Sequence, residues 1–330
     1  MTYDVYAVGN ALVDFEFRVG ESFLSELALD KGHMTLIDET RERSLLEVLS
    51  EHDRNMACGG SAANTVIAVS QFGGRSFYSC KVADDSVGDF FYRDLVAEGV
   101  ETNVGKQREP GATGKCLVFI TPDAERTMTT HLGITQELSA VELNAEAIAA
   151  SKTVYIEGYL VASETARQAA IEARQRAQQA KVPTALTFSD PNMVRFFRDG
   201  LSEILGDGVD LLFCNEEEAL TFCETDRLEI ARERLKEVAR TFAITLGSKG
   251  SLIWDGREFI QVLGQRVNAV DTVGAGDMYA GAFLYGLTHE LGYKGAAELA
   301  TMASAKLVSS YGPRLPKAET QAVLAQFKPY

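Results

Sequence analysis

The stretch richest in chemistry is Val270-Asp271-Thr272-Val273-Gly274-Ala275-Gly276-Asp277, which runs into an apolar segment from Met278 to Gly286. Its pattern reads as strand, small-residue turn and helix. Gly274, Ala275 and Gly276 allow a ligand close to the backbone, and the first-turn N–H groups of the new helix are unpaired donors. Such a nest suits an anion, phosphate above all. Tyr279 stands where a dinucleotide fingerprint needs its third glycine, and no Gly-Lys-Ser/Thr follows, so neither nucleotide motif is present. Asp277 would repel phosphate if binding were the whole task. It makes sense where a substrate hydroxyl is deprotonated as it attacks a phosphoryl group, with the helix N-terminus keeping the carboxylate ionised. The alternative is an acidic helix cap.

A second constellation, Asn215-Glu216-Glu217-Glu218, follows the apolar run Asp210–Cys214. Ligands of open parallel sheets gather at the carboxyl ends of strands. Acidic and amide oxygens there suit Mg2+ held largely through water, or simply an acidic first turn favoured by the helix dipole. Near the N-terminus, Gly9-Asn10-Ala11-Leu12-Val13-Asp14 places Asp14 just past a strand, where one carboxylate can bind two adjacent hydroxyls. Gly59-Gly60-Ser61-Ala62-Ala63-Asn64 sets a flexible pair before a helix that carries Asn64. Together they resemble a polyol site; taken alone they are a turn and a polar helix residue.

These residues need a scaffold. Apolar runs at Tyr3–Gly9, Ser76–Val82, Val154–Glu157, Thr184–Phe188, Leu211–Cys214 and Phe242–Leu246 read as strands. Between them lie helical stretches, among them Ser61 to Gly73, Val87–Ala97, Ser163–Ala180 and Leu228–Thr241. The alternation predicts an α/β fold, a Rossmann-like, mostly parallel central sheet with helices on both faces. Two stretches break the rhythm. Lys115–Thr121 and Arg126–Thr130 flank the turn Pro122-Asp123-Ala124-Glu125, and residues 12–37 are irregular. A small β-sheet lid from about 12–37 and 108–131, within a single domain of residues 1–330, is expected. Ser251–Trp254 and Glu258–Val262 flank Asp255-Gly256, which predicts a two-residue hairpin.

The chain has 330 residues, 47 Asp+Glu against 32 Lys+Arg, and a net charge of −15. That surplus argues against nucleic-acid polymers and anionic membranes, because phosphate-backbone affinity needs clustered cations. Any phosphate ligand must be held by local devices. No apolar run approaches the roughly 20 residues of a membrane helix. No signal-like start precedes Tyr3, and the five cysteines are odd in number and widely spaced, so a cytoplasmic protein with reduced thiols is expected.

Gly-Asn-x-x-x-Asp at Gly9–Asp14, Gly-Gly-Ser-x-x-Asn at Gly59–Asn64, Asn-x-x-Glu at Asn215–Glu218 and Asp-Thr-x-Gly-Ala-Gly-Asp at Asp271–Asp277 resemble the ribokinase/PfkB family of carbohydrate and nucleoside kinases. Their order and spacing match along essentially the whole chain. The resemblance implies transfer of the ATP γ-phosphate to a primary hydroxyl. Asp277 would be the base and Gly274, Ala275 and Gly276 the anion hole. Asn215 and Glu218 would organise Mg2+ and phosphate, while Asp14, Gly59, Gly60 and Asn64 would hold sugar hydroxyls. Thr245-Leu246-Gly247-Ser248-Lys249-Gly250 resembles the nucleotide loop. A monovalent cation such as K+ would involve Asp271 and the Ser309–Gly312 turn. Monomers and lid-mediated homodimers both occur in the family.

Within the family the similarity runs to the adenosine kinases, through Gly9–Asp14, His33–Asp38, Gly59–Thr65, Glu125–Gly133 and Tyr155–Leu160. A nucleoside needs an apolar slot beside its ribose, which Leu12, Met34, Leu36, Tyr159 and Leu160 could line if they are not plain core. Arg126 could swing over the phosphates, or be an ordinary exposed arginine. Ser189-Asp190-Pro191-Asn192 instead resembles the Asp-x-Asn segment of the sugar kinases, which keeps a sugar acceptor such as ribose or fructose in view. A non-catalytic sensor on this fold would have lost Asp277, Asn215 or Glu218, and a dehydrogenase would need Gly-x-Gly-x-x-Gly after the first strand.

Overall fold

The computed structural model describes residues 2–32, 34–105, 108–123 and 126–328. Its strands, in chain order, are β1 (Tyr3–Val8), β2 (Leu12–Arg18), β3 (Met34–Leu36), β4 (Arg54–Gly59), β5 (Ser76–Ser79), β6 (Glu101–Thr102) and β7 (Gly114–Ile120). There follow β8 (Arg126–His131), β9 (Ser151–Glu157), β10 (Thr184–Thr187), β11 (Val209–Asn215), β12 (Ala239–Thr245), β13 (Gly250–Trp254) and β14 (Phe259–Leu263).

Alternation along the central strands divides the interior in two. Val5 and Ala7 of β1, with Leu211 and Phe213 of β11, enter one core. Tyr6 and Val8, with Leu212 and Cys214, enter the other. Strands buried on both faces are what a parallel sheet covered by helices requires. The main sheet runs β14-β13-β12-β11-β10-β9-β1-β5-β6. It is parallel except at β12/β13 and β13/β14. Helices Ser61–Phe72, Ala275–Thr288 and Gly292–Leu307 pack on one face, and Glu164–Gln179 and Pro191–Leu205 on the other. This is the α/β architecture read from the sequence.

A second sheet, ordered β3-β8-β7-β2-β4, grows from the carboxyl end of β1. It draws on residues 12–37 and 108–131 and adds β4, which the sequence pattern did not mark. Residues 124, 125 and 33, part of the expected hairpin turn and of the His33–Asp38 segment, lie outside the described residues. Register decides what this sheet offers. Asp14 pairs with Cys116 and Glu16 with Val118, while Cys116 pairs with Thr130, Val118 with Met128 and Ile120 with Arg126. Met34 and Leu36 of β3 pair with Met128 and Thr130. Directly paired residues share a face. One face therefore carries Asp14, Glu16 and Arg126 together with Val118, Met128, Met34 and Leu36. The opposite face carries Phe15, Phe17, Leu117 and Phe119, which enter the core.

Three local expectations are corrected. The helix expected over Leu228–Thr241 ends at Arg234, and Ala239–Thr241 belong to β12, where Ala239 pairs with Val209 and Thr241 with Leu211. Sheet pairing overrode a helix-favouring composition. No strand precedes Gly274; the chain leaves edge strand β14 and crosses back, held where Val270 and Asp271 both donate to the Val308 carbonyl. The Asp255 turn holds four residues, not two, because Trp254 pairs with Phe259. The Asp255 carboxylate accepts from the amides of Arg257 and Glu258, an Asx turn that stretches the loop.

The helices Ser61–Phe72 and Ala275–Thr288 approach closely at Gly281, where a Cβ would stand 2.6 Å from the Thr65 carbonyl oxygen and 2.7 Å from Ala68 Cβ. A Gly281→Leu substitution should therefore destabilise the protein by about 2 kcal/mol or more through overpacking. Urea unfolding measures it; an unchanged midpoint would show that the helix pair can part without cost.

Candidate active site

The parallel strands bring their carboxyl ends to one edge, and there stand Gly9-Asn10 after β1, Tyr159 after β9, Asp190 after β10, Asn215 at the end of β11 and Gly247 after β12. Gly274 begins the helix Ala275–Thr288 in a left-handed conformation, φ 74°, against the Pro313 backbone, where a Cβ would collide. The Ala275 amide is spent on the Thr272 carbonyl at 3.2 Å, so of the three expected anion-hole residues Gly276, followed by Asp277, has an amide without a carbonyl one turn back.

Asp277, in that first turn, receives two hydrogen bonds from the neighbouring helix: Ser61 Oγ donates to Oδ1 at 2.6 Å and Asn64 Nδ2 to Oδ2 at 3.1 Å. Asn64 is buried, and its Oδ1 has no partner within the protein. Burial pushes the Asp277 carboxyl up to about 6, against the pull of Ser61 and Asn64. The result is a carboxylate ionised near neutrality and basic enough to take a proton.

Asp14 lies across the cleft. Burial pushes its carboxyl up to about 7; Arg314 and Arg126 pull it down, while Glu16 and Asp277 push it up. Gly59 leaves the room it needs, since a Cβ there would strike the Asp14 carboxylate. Gly60, at φ 100°, passes so close to the Asn10 carbonyl that no side chain fits. The two glycines are thus placed by sterics beside Asp14. Tyr159, half-buried, lies among the acids of the strand ends. Burial first, then the charges of Asp190, Asp277, Glu157 and Glu218, hold its phenol well above the usual range.

Asn215 and Glu218 form a capping box. Glu218 Oε2 and Oε1 accept from the Asn215 backbone N–H and Nδ2 at 2.9 and 2.8 Å, and the Glu218 amide donates back to Asn215 Oδ1 at 2.8 Å. Burial pushes Glu218 up to about 7. With both oxygens engaged, this pair fits a metal gripped through water rather than directly. Lys249 is exposed, 3.7 Å from Glu216. Gly250, φ 101°, abuts the Val262 carbonyl and shapes the Thr245–Gly250 loop.

Arg126 is neither exposed nor free. Its Nη1 lies 3.1 Å from Glu16 and its Nη2 2.6 Å from Asp271, with the guanidinium almost wholly buried. Asp271 also accepts from Val273 N at 3.1 Å and Gly312 N at 2.8 Å. The turn Ser309–Gly312 thus does meet Asp271, whose carboxylate is engaged by Arg126 and two amides. A cavity of ≈ 970 Å³ lies beside Arg126, lined also by Glu16, Arg18, Arg54 and Tyr311. A smaller one of ≈ 300 Å³ includes Asp14, Asn55 and Arg314. Met34 and Leu36 are 38% and 52% exposed on the Asp14 face, whereas Leu12 is half-buried and Leu160 is core.

Four residues of this region escaped the sequence reading, among them Ser61, which sat unremarked inside Gly-Gly-Ser, and Met128 and Val118, whose place beside Met34 depends on strand register. Glu157 escaped too, although a lone acid ending an apolar strand was a signal.

The pfkB family carbohydrate kinase model matches residues 28–321. The chain belongs to the PfkB family. It is 36% identical to the adenosine kinase from Sinorhizobium meliloti, with a TM-score of 0.90 and 99% of each chain covered. It is 34% identical to a probable sugar kinase protein from Rhizobium etli CFN 42, at a TM-score of 0.89 and the same coverage. Adenosine kinase from Saccharomyces cerevisiae is 25% identical over 96% of this chain and 98% of its own. This PfkB-family protein is a kinase of the nucleoside and sugar group, and a kinase of that group takes a small-molecule acceptor and ATP. Among the described residues no helix is long and apolar enough to cross a membrane, and the five cysteines are buried and free.

Removing the Ser61 hydroxyl takes away a contact that lowers the Asp277 pKa. In Ser61→Ala the Asp277 carboxyl should therefore titrate above about 6. Carboxyl-carbon NMR of labelled aspartate reads this directly, and a shift in the other direction would count against the hydrogen bond.

Proposed function

We propose that this PfkB-family kinase phosphorylates the 5′-hydroxyl of a nucleoside, adenosine foremost, with ATP as donor. The observation that carries the reaction is Asp277, half-buried, held by Ser61 and Asn64 and standing at a helix N-terminus. In the ionised state Asp277 accepts the proton of the acceptor hydroxyl as that oxygen bonds to the γ-phosphorus and the bond to the bridging oxygen breaks. The outward amides at Gly276 and Asp277 neutralise charge on the transferred group, and Asn64 Oδ1 is free to accept from a sugar hydroxyl. Mg2+, when bound, would neutralise phosphate charge, held through water by Asn215 and Glu218.

The acceptor class is supported by the second sheet. Asp14 can bind vicinal hydroxyls of ribose, and Met34, Leu36, Met128 and Val118 on the same face supply the apolar surface a purine needs. The same sheet would serve as a lid, its Arg126 reaching the loop at Asp271. The sugar-kinase alternative draws on Asp190 and Asn192, the Asp-x-Asn segment, where the Asp190 carboxylate accepts from the Asn192 amide at 2.7 Å and caps the helix Pro191–Leu205.

In a panel of adenosine, inosine, guanosine, ribose and fructose with Mg-ATP, adenosine should give the highest kcat/KM. A clear win for a free sugar overturns the nucleoside assignment. Asp277→Asn should lower kcat by about three orders of magnitude or more, with ATP affinity nearly unchanged. In the native enzyme kcat should fall as the pH drops through about 6, because protonated Asp277 cannot accept a proton. Near-normal turnover of Asp277→Asn removes Asp277 as the base.

A further inference from the structure

Glu157 ends β9 with 1% of its surface exposed. Its partners among the described residues are amides alone. Oε1 accepts from the Asn10 backbone N–H and from Asn10 Nδ2, both at 3.2 Å, and Oε2 accepts from the Ala62 N–H at 2.8 Å. These donors belong to two segments far apart in sequence. Asn10 leads through Ala11 into β2, which carries Asp14. Ala62 lies in the first turn of the helix whose Ser61 and Asn64 grip Asp277. That helix starts at Gly60, which has no side chain with which to cap it, so Glu157 supplies from another strand the acceptor that a Ser or Asp cap would give. Gly9 is a glycine for the same reason: a Cβ there would lie 2.5 Å from Glu157 Oε2 and 2.6 Å from Ala62 Cβ.

We infer that Glu157 is a positioning residue that sets the acceptor-holding strand and the base-holding helix at a fixed separation, acting through Asn10 and Ala62 and touching no substrate itself. The inference rests on the kinase reading above. A neutral carboxylic acid would point its O–H at an N–H donor, so the clamp needs the carboxylate ionised. Burial opposes this and pushes Glu157 up to about 7, with the Asp277 charge adding to it and the amides of Ala62 and Asn10 pulling it down. The other titratable groups that face it are Tyr78 and Cys80 at β5, and Tyr155 and Tyr159 along β9 and its exit; burial keeps all four protonated. Glu157 is thus the one member of the clamp that changes charge between about pH 5 and pH 8, over the range in which Asp277 and Asp14 also do.

Glu157→Gln is nearly isosteric but turns an NH2 toward either Ala62 or Asn10. With whichever acceptor the panel selects, it should raise acceptor KM or lower kcat by about 10–100-fold in combination, the cost of an unmade hydrogen bond to a buried charge. The KM for ATP should stay within about two-fold, because the phosphate nest is not in the clamp. The acidic limb of kcat/KM for the acceptor should be steeper in the native enzyme, where Glu157 must be ionised alongside Asp277 and Asp14, than in Glu157→Gln, where one such requirement is gone. Hydrogen exchange supplies a readout independent of any acceptor: the amides of Asn10 and Ala62–Asn64 should exchange faster in the variant, with β10–β12 unaffected. If Glu157→Gln does not fold, Asn10→Ala removes two of the clamp's interactions at one end and should give the same split between acceptor and ATP. Unchanged acceptor kinetics with an unchanged limb overturns the inference while leaving the kinase assignment standing. Altered exchange in a protein that phosphorylates no member of the panel would instead strike the functional reading and spare the clamp.

Discussion

Everything at this site turns on keeping a carboxylate ionised where water is scarce. Asp277 is placed at a helix N-terminus and given two donors from a second helix, and those donors can reach it only because the helices cross at Gly281 with almost no side chain between them. The compromise is visible in its titration. Burial carries the group toward neutrality, and the hydrogen bonds stop it there. A fully solvated aspartate would be too weak a base, and a fully buried one would be neutral and useless.

The same tension recurs around the cleft. Asp14, Glu157 and Glu218 are all pushed up to about 7 by burial; amide donors oppose this at Glu157 and Glu218, whereas at Asp14 the charges of Arg314 and Arg126 do so. Such a concentration of acid would seem hostile to a polyphosphate. The conflict eases because the acids are engaged: Glu218 by Asn215, Glu157 by Asn10 and Ala62, Asp271 by Arg126. What remains outward-facing at the phosphate position is backbone N–H. The net charge of −15 describes the solvated surface, not this spot.

The second sheet gives the acceptor end its character. Its pleat separates a face that enters the core from a face that carries Asp14, Glu16 and Arg126 beside methionines and Leu36. A slip of one residue in β2 would bury its acids and expose its phenylalanines. The buried phenylalanines therefore enforce the register that aims Asp14.

Much of this was legible before any coordinates. Local spacing alone marked Asp14, Gly59–Gly60, Asn64, Asn215, Glu218 and Asp271–Asp277, because glycine at a tight approach and an acid at a helix start are constraints expressed within a few neighbouring residues. The alternation of strands and helices announced the α/β sheet for the same reason. What remained hidden was every relation between distant segments. Arg126 looked free until Glu16 and Asp271 closed on it, and Met128 and Val118 joined the acceptor face only through strand register. Ser61 and Glu157 gained meaning only once two helices and a strand met. Leu228–Thr241 misled because its composition favours a helix while its tail is claimed by pairing with β11. Residue types and short spacings decide which chemistry is available; burial and cross-chain hydrogen bonds, which depend on tertiary contacts, decide which carboxylate is poised to perform it.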